Sequence, residues 1–127
     1  MIRVNHIGLY VHDLERAREF YEHFFGATAG GKYHNPRTGF ESYFLSFEEG
    51  LRLELMTRPG LLEGGPAQKP GWNHLAISTG SAAAVDDLTR QLALAGYPAS
   101  SGPRTTGDGY YESVIPDPEG NLIEITI

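Results

Sequence analysis

Four side chains in this sequence have the types and spacing for chemistry: His6, Glu54, His74 and Glu124. They form one short pattern written twice. His6 lies in Asn5-His6-Ile7-Gly8 and His74 in Asn73-His74-Leu75-Ala76, while Glu54 lies in Leu53-Glu54-Leu55 and Glu124 in Ile123-Glu124-Ile125. The His-to-Glu separations are 48 and 50 residues. Two imidazole nitrogens and two carboxylate oxygens, with no sulfur, suit a hard or borderline divalent ion of the Zn, Ni, Co, Mn or Fe(II) kind, with water at open positions. An open N/O site of that sort acts as a Lewis acid on a substrate oxygen. Taken singly, each of the four reads as an ordinary polar position on a sheet surface. Four equivalent placements in two repeats favour the metal reading. His12, His23 and His34 stand outside the pattern, at a strand end, mid-helix opposite the apolar stripe and in a turn region, and read as surface residues.

Strands must position these groups, because residues two apart share a strand face. His6 then points with Val4 and Gly8, and Glu54 with Arg52 and Met56. If the flanking Leu and Ile face helices, both carboxylates face the opposite side. Residues 3–11 read as the first strand. Asp13 can cap a helix whose apolar face is Leu14, Ala17, Phe20, Tyr21, Phe24 and Phe25, and Gly26 ends it. Residues 28–34, 40–47 and 51–57 read as three more strands. After a Pro- and Gly-rich linker, 59–71, the order repeats: a strand at 72–78, then a helix capped by Ser81 with Val85, Leu88, Leu92 and Ala95 inward, stopped by Gly96. Strands near 97–101, 110–115 and 121–127 complete it, the last introduced by the turn Pro116-Asp117-Pro118-Glu119-Gly120-Asn121. Each half is β-α-β-β-β. The expected architecture is one α+β domain over 1–127: module 1–58, linker 59–71 and module 72–127.

The bulk properties narrow the partners. With 127 residues and 40% hydrophobic content a core is affordable, and 16 acidic against 10 basic residues give a formal charge of −6. That argues against nucleic acid and anionic membranes, which require clustered Lys and Arg. Zero cysteines exclude disulfides, thiolate metal sites and a Cys nucleophile. The first residues lack a signal-peptide core and no apolar stretch is long enough to span a bilayer, so a cytoplasmic protein is expected.

At Asn5-His6-Ile7-Gly8-Leu9, the helix through Arg18-Glu19-Phe20-Tyr21 to Phe25-Gly26, Leu53-Glu54-Leu55, Asn73-His74-Leu75-Ala76 and Asp117-Pro118-Glu119-Gly120-Asn121-Leu122-Ile123-Glu124-Ile125, the chain resembles the vicinal oxygen chelate superfamily. Its members include glyoxalase I, fosfomycin-resistance thiol transferases, methylmalonyl-CoA epimerase and extradiol dioxygenases. The resemblance implies two βαβββ modules, in one chain or across a dimer, forming a curved mixed-sheet cleft around a metal. It implies His6, Glu54, His74 and Glu124 as ligands, with Ni or Zn ahead of Co, Mn and Fe. A carboxylate at the position of Glu54 matches the glyoxalase I branch, where dioxygenases and fosfomycin-resistance enzymes have none and the epimerase has Gln. The implied reaction is that of a lyase. A Glu removes the C1 proton of a hemithioacetal and the proton returns at C2 to give a thioester, with Glu124 as the base and Glu54 as its near-symmetric rival.

Two departures separate the chain from glutathione-using bacterial members: Tyr10 stands where they carry Arg, and Arg58 where they carry Asn. Arg37 and Arg58 are candidates for holding an anionic group on another substrate, or are solvated loop residues. Tyr43 and Tyr111 are candidates to line the cleft, or are ordinary sheet residues. The Gly-rich stretch Thr105 to Tyr111 reads as a lid or as a plain hairpin. The expectation is a homodimeric, metal-dependent lyase or isomerase for a small α-oxo substrate. The rivals are a thiol transferase, a dioxygenase and a metal-free drug-binding protein.

Overall fold

Side-chain caps set the helices. In a computed structural model that describes residues 4–63, 70–107 and 109–127, Asp13 Oδ1 accepts the Arg16 N–H at 3.0 Å, starting α1 (Leu14–Phe25). Gly26 ends it in a left-handed conformation (φ 66°) that costs glycine little. Ser81 Oγ accepts the Ala84 N–H at 3.1 Å and starts α2 (Ala82–Leu94). The strands are β1 (Ile7–Tyr10), β2 (Thr28–Ala29), β3 (Tyr33–His34), β4 (Glu41–Ser46), β5 (Arg52–Thr57), β6 (His74–Ser78), β7 (Ser101–Thr105), β8 (Tyr111–Pro116) and β9 (Leu122–Thr126). Among the described residues no helix is long and apolar enough to cross a membrane.

The chain divides into two compact units, residues 1–63 and 64–127. The first is a mixed sheet in the order β1-β5-β4-β2, with β3 also paired to β4; β1 runs parallel to β5 and the other pairs are antiparallel. The second has the order β6-β9-β8-β7, with β6 parallel to β9. In each unit the helix lies between the first strand and the rest and packs on the sheet, α1 on β4 and β5, α2 on β8 and β9. The chain is thus α+β, two βαβββ modules when β2 and β3 are counted as one interrupted strand. Of the expected linker, residues 64–69 lie outside the described residues.

Period-two burial orients the key strands. Leu53, Leu55, Ile123 and Ile125 are buried on the helix side, each stabilising its module by about 1.5–3 kcal/mol. Glu54 and Glu124, between them, face the other side.

Three expectations change. The strand read at 28–34 is split into β2 and β3 around Gly30-Gly31, and the two pieces pair with opposite ends of β4. The strand read near 97–101 is β7, residues 101–105. Gly102-Pro103 looks like a breaker in sequence, but β7 is an edge strand, where a missing N–H is tolerated. The stripe of α2 includes Thr89 and leaves Ala95 exposed. Thr89 is buried because its hydroxyl donates to Val85 O at 2.6 Å and meets Ser113 Oγ at 2.7 Å.

Candidate metal centre

In each module the parallel pairing of first and last strand brings His and Glu together. The strand expected over 3–11 is β1, residues 7–10, and its register sets Gly8 beside Glu54 while His6 stands just before the strand. His6 Nε2 lies 3.8 Å from Glu54 Oε1. In the second module Ala76 stands beside Glu124, and His74 Nε2 lies 2.6 Å from Glu124 Oε2. The residue beside each carboxylate is small, Gly8 in one module and Ala76 in the other. The carboxylates are the more covered partners, at 16% and 24% side-chain exposure against 37% and 36% for the histidines.

The other ring nitrogen is held as well. His6 Nδ1 lies 2.8 Å from Asn5 Oδ1, and His74 Nδ1 lies 2.9 Å from Asn73 Oδ1. An amide oxygen only accepts, so Nδ1 carries the proton and Nε2 is the nitrogen turned to the carboxylate. Holding a histidine ring at its second nitrogen is the usual way a protein orients the first toward a metal ion. Two ligands about 2.1 Å from one ion and at right angles stand roughly 3 Å apart. The two observed separations bracket that value, and nitrogen-plus-oxygen donors suit a divalent ion of the kind expected. Among the described residues no group of three or more such side chains gathers, so each module presents a two-ligand pair.

The first pair has further neighbours. Phe44, opposite Glu54 across β4–β5, meets the His6 ring edge-on with centroids 5.1 Å apart. Arg52, two residues before Glu54 on the same face, lies over the Phe44 ring at 4.3 Å and reaches Asn5 Oδ1 at 3.5 Å. The second module has Val114 opposite Glu124 and Leu122 beside His74, both apolar.

Of the four candidate substrate contacts, the tyrosines point the other way. Tyr43 is opposite Leu55, on the helix side, and its hydroxyl donates to Glu15 of α1 at 2.8 Å. Tyr111 shares the face of Ser113, which bonds to α2, and donates to Asp86 of that helix. Neither lines the carboxylate face, because register parity sends both toward the helices. The contacts also shift titration. The Tyr43 hydrogen bond, with Lys32 and Arg18 assisting, holds Glu15 below the usual carboxylate range, and the same bond raises the Tyr43 phenol. Asp86 raises Tyr111 in the same way. Arg58 lies over Tyr10 at 5.7 Å, at the far end of the row that begins with His6. Arg37 sits in the turn between β3 and β4, beyond the Glu41–Thr57 end of the sheet, and is not brought to the His6–Glu54 pair.

The β7–β8 connection is a bonded hairpin: Thr106 N–H donates to Tyr110 O at 2.7 Å and Thr106 Oγ1 accepts Tyr110 N–H at 2.9 Å. Asp108 lies outside the described residues. His34 sits on β3, 3.5 Å from Glu41, and His23 is in the last turn of α1 against Phe24, both away from the pairs. From sequence Phe44 carries no signal, and Asn5, Asn73 and Arg52 stand only as neighbours of the four candidates, with no role of their own. The repeated Asn-His dipeptide was the one available signal.

The family model described as the Glyoxalase/Bleomycin resistance protein/Dioxygenase superfamily matches residues 3–125. The chain is similar to Uncharacterized protein YqjT of Bacillus subtilis (strain 168), 29% identical over 128 residues and covering 96% of each chain. It is similar in structure to the trypanothione-dependent glyoxalase I of Leishmania major, with TM-score 0.79 and 22% identity, over 99% of this chain and 86% of that one. It is also similar to the fosfomycin resistance protein FosX of Listeria monocytogenes, solved with Mn(II) and a sulfate ion, with TM-score 0.74 and 21% identity, over 99% and 93%. At these identities the structural likeness shows a shared fold.

Proposed function

Since the chain belongs to the glyoxalase/bleomycin resistance protein/dioxygenase superfamily, we propose that it is a metal-dependent, glyoxalase-I-like lyase or isomerase. Its substrate would be a small α-oxo aldehyde–thiol adduct or a related α-oxo compound. The observation that carries this reading is the second carboxylate. Glu54 faces His6 as Glu124 faces His74, each histidine with its Nδ1 on an Asn oxygen. A three-ligand relative has no need of a carboxylate at Glu54.

In this reading His6, Glu54, His74 and Glu124 hold one divalent ion, nickel or zinc ahead of the others. When bound, the ion supplies Lewis-acid stabilisation of developing oxyanion charge. The chain supplies the proton movement. Glu124 takes the proton from the carbon bearing the sulfur and returns it to the neighbouring carbon, while the hydroxyl proton passes from the first oxygen to the second, converting a hemithioacetal to an α-hydroxythioester with no external oxidant or reductant. Apolar Leu122 and Val114 flank Glu124, whereas Arg52 shares the face of Glu54, which favours Glu124 for this role. A homodimer belongs to the proposal, with the four ligands drawn from one chain or from two copies.

The test is metal analysis of protein purified without added metal, followed by methylglyoxal assays of reconstituted protein with a panel of thiols. One ion per four ligands and turnover with some thiol are expected. No bound transition metal and no affinity on titration would sink the reading. Mixing a His6→Ala variant with a His74→Ala variant restores metal binding only if the ligands are shared between copies.

A further inference from the structure

We infer that Arg52 is an anion-recognition residue beside the His6–Glu54 pair, and that the substrate carries a carboxylate within a few bonds of its chelating oxygens; this rests on the metal-dependent reading above. Three observations carry it. The first is position. Arg52, the first residue of β5, shares the face of Glu54 and reaches Asn5, the residue before His6. The second is that its guanidinium is held against a ring. The guanidinium lies over the Phe44 ring at 4.3 Å, and the same ring meets His6 edge-on. A cation over a ring face is attracted to it, and the guanidinium N–H groups form a fork that matches a carboxylate.

The third is that, among the described residues, no carboxylate is paired with it. Arg18 is bonded to Glu15, Glu19 and Glu22, and Arg90 to Asp87. Arg52 is half-buried, yet among the described residues its polar contact is one 3.5 Å hydrogen bond to the neutral Asn5 oxygen. A half-buried cation without a counter-charge is costly. One placed beside a metal pair also repels the ion that the pair would hold. An anion arriving with the substrate offsets both terms. The second module has Leu122 at the equivalent position beside His74, so the feature belongs to one half of the repeat.

The experiment uses two probes of equal heavy-atom count, pyruvate and 2,3-butanedione, which differ by a carboxylate oxygen against a methyl group. They are titrated into ¹⁵N-labelled protein, metal-free and nickel-loaded, while the Arg52 side-chain Nε–H resonance is followed. A hydrogen bond to a charged partner is worth roughly a 10- to 100-fold change in affinity. Pyruvate is therefore expected to move the Arg52 resonance and to bind about 10- to 100-fold more tightly than 2,3-butanedione. Arg52→Met should remove that advantage, and Arg52→Lys should restore part of it. An unmoved Arg52 resonance in wild-type protein that has bound nickel, or pyruvate affinity equal to that of 2,3-butanedione, overturns the assignment. The wild-type resonance decides the matter even if Arg52→Met folds poorly. Failure to bind nickel with the pyruvate response intact sinks the metal reading alone.

Discussion

Replacing Asn73 by Leu isolates the contribution of the ring nitrogen that would not touch a metal. The Asn73 oxygen accepts from His74 Nδ1–H at 2.9 Å, and Nε2 is thereby presented to Glu124. A neutral hydrogen bond is worth about 1 kcal/mol net, and one to a charged partner about 1.5–3 kcal/mol. A histidine bound to a divalent ion draws positive charge onto its Nδ1–H, so the bond strengthens on metal binding. His74 is partly exposed, which places the effect at the lower end, about 1.4 kcal/mol or tenfold in affinity. Leu is preferred to Ala because its branched end keeps water from taking the place of the lost oxygen. Asn73→Asp supplies a carboxylate acceptor and should tighten binding by a similar factor. Calorimetric titration with nickel measures both variants, and ¹⁵N shifts of His74 in the metal-free protein report the tautomer independently. If Asn73→Leu and Asn73→Asp both bind nickel within about twofold of wild type, or both lose affinity equally, the asparagine has no orienting role. The same substitutions at Asn5 provide an internal replicate.

Glu54→Gln should abolish isomerase turnover, or lower it by orders of magnitude, while protein still binds metal; full retained activity would point to a three-ligand relative such as a thiol transferase or dioxygenase. Tyr43→Phe removes the main cause of the lowered Glu15 titration. Because Glu15 titrates lower when folded, its contribution is present above the unfolded value of 4.5 and lost as pH falls through the lower folded value. The variant should therefore lose stability mainly above about pH 4.5 and converge with wild type in acid, as urea midpoints across pH would show; a constant difference at all pH values would refute the cause given. Asp117→Ala should cost roughly 1–3 kcal/mol, because the buried Asp117 carboxylate accepts from the backbone N–H groups of Glu119 and Asn121, both at 2.9 Å; thermal melts with no loss would show that the turn holds without it.

Much of this was legible from residue order. Leu53-Glu54-Leu55 and Ile123-Glu124-Ile125 reveal which side each carboxylate faces, because strand alternation admits only two answers and apolar flanks choose between them. Asp13, Gly26 and Ser81 marked helix ends through local hydrogen bonding, which needs no tertiary information. The misses came where long-range pairing decides. Tyr43 and Tyr111 are amphipathic, so residue type suits either face, and only the register across β4–β5 and β8–β9 assigns them to the helix side. Thr89 is absent from the apolar stripe read in sequence because its burial depends on Ser113, 24 residues away, as a partner for its hydroxyl. Arg52 was noted as a face-mate of Glu54, but its stacking on Phe44 depends on a strand eight residues earlier in the chain. The strand at 101–105 was hidden because a proline is tolerated at a sheet edge, and edges are a property of the assembled sheet.

The parallel pairing of β1 with β5, and of β6 with β9, has a consequence for how the protein is made. In each module the histidine emerges from synthesis first and its carboxylate almost last, and they become neighbours only when the closing strand slots in beside the opening one. Such end-to-end closure is the slow, entropically demanding part of folding a small mixed sheet. No half-made module can offer the His–Glu pair, so a scarce ion would be captured only by a module whose chain has been finished and closed. Metal uptake during refolding should then lag behind helix formation and report completion of the sheet.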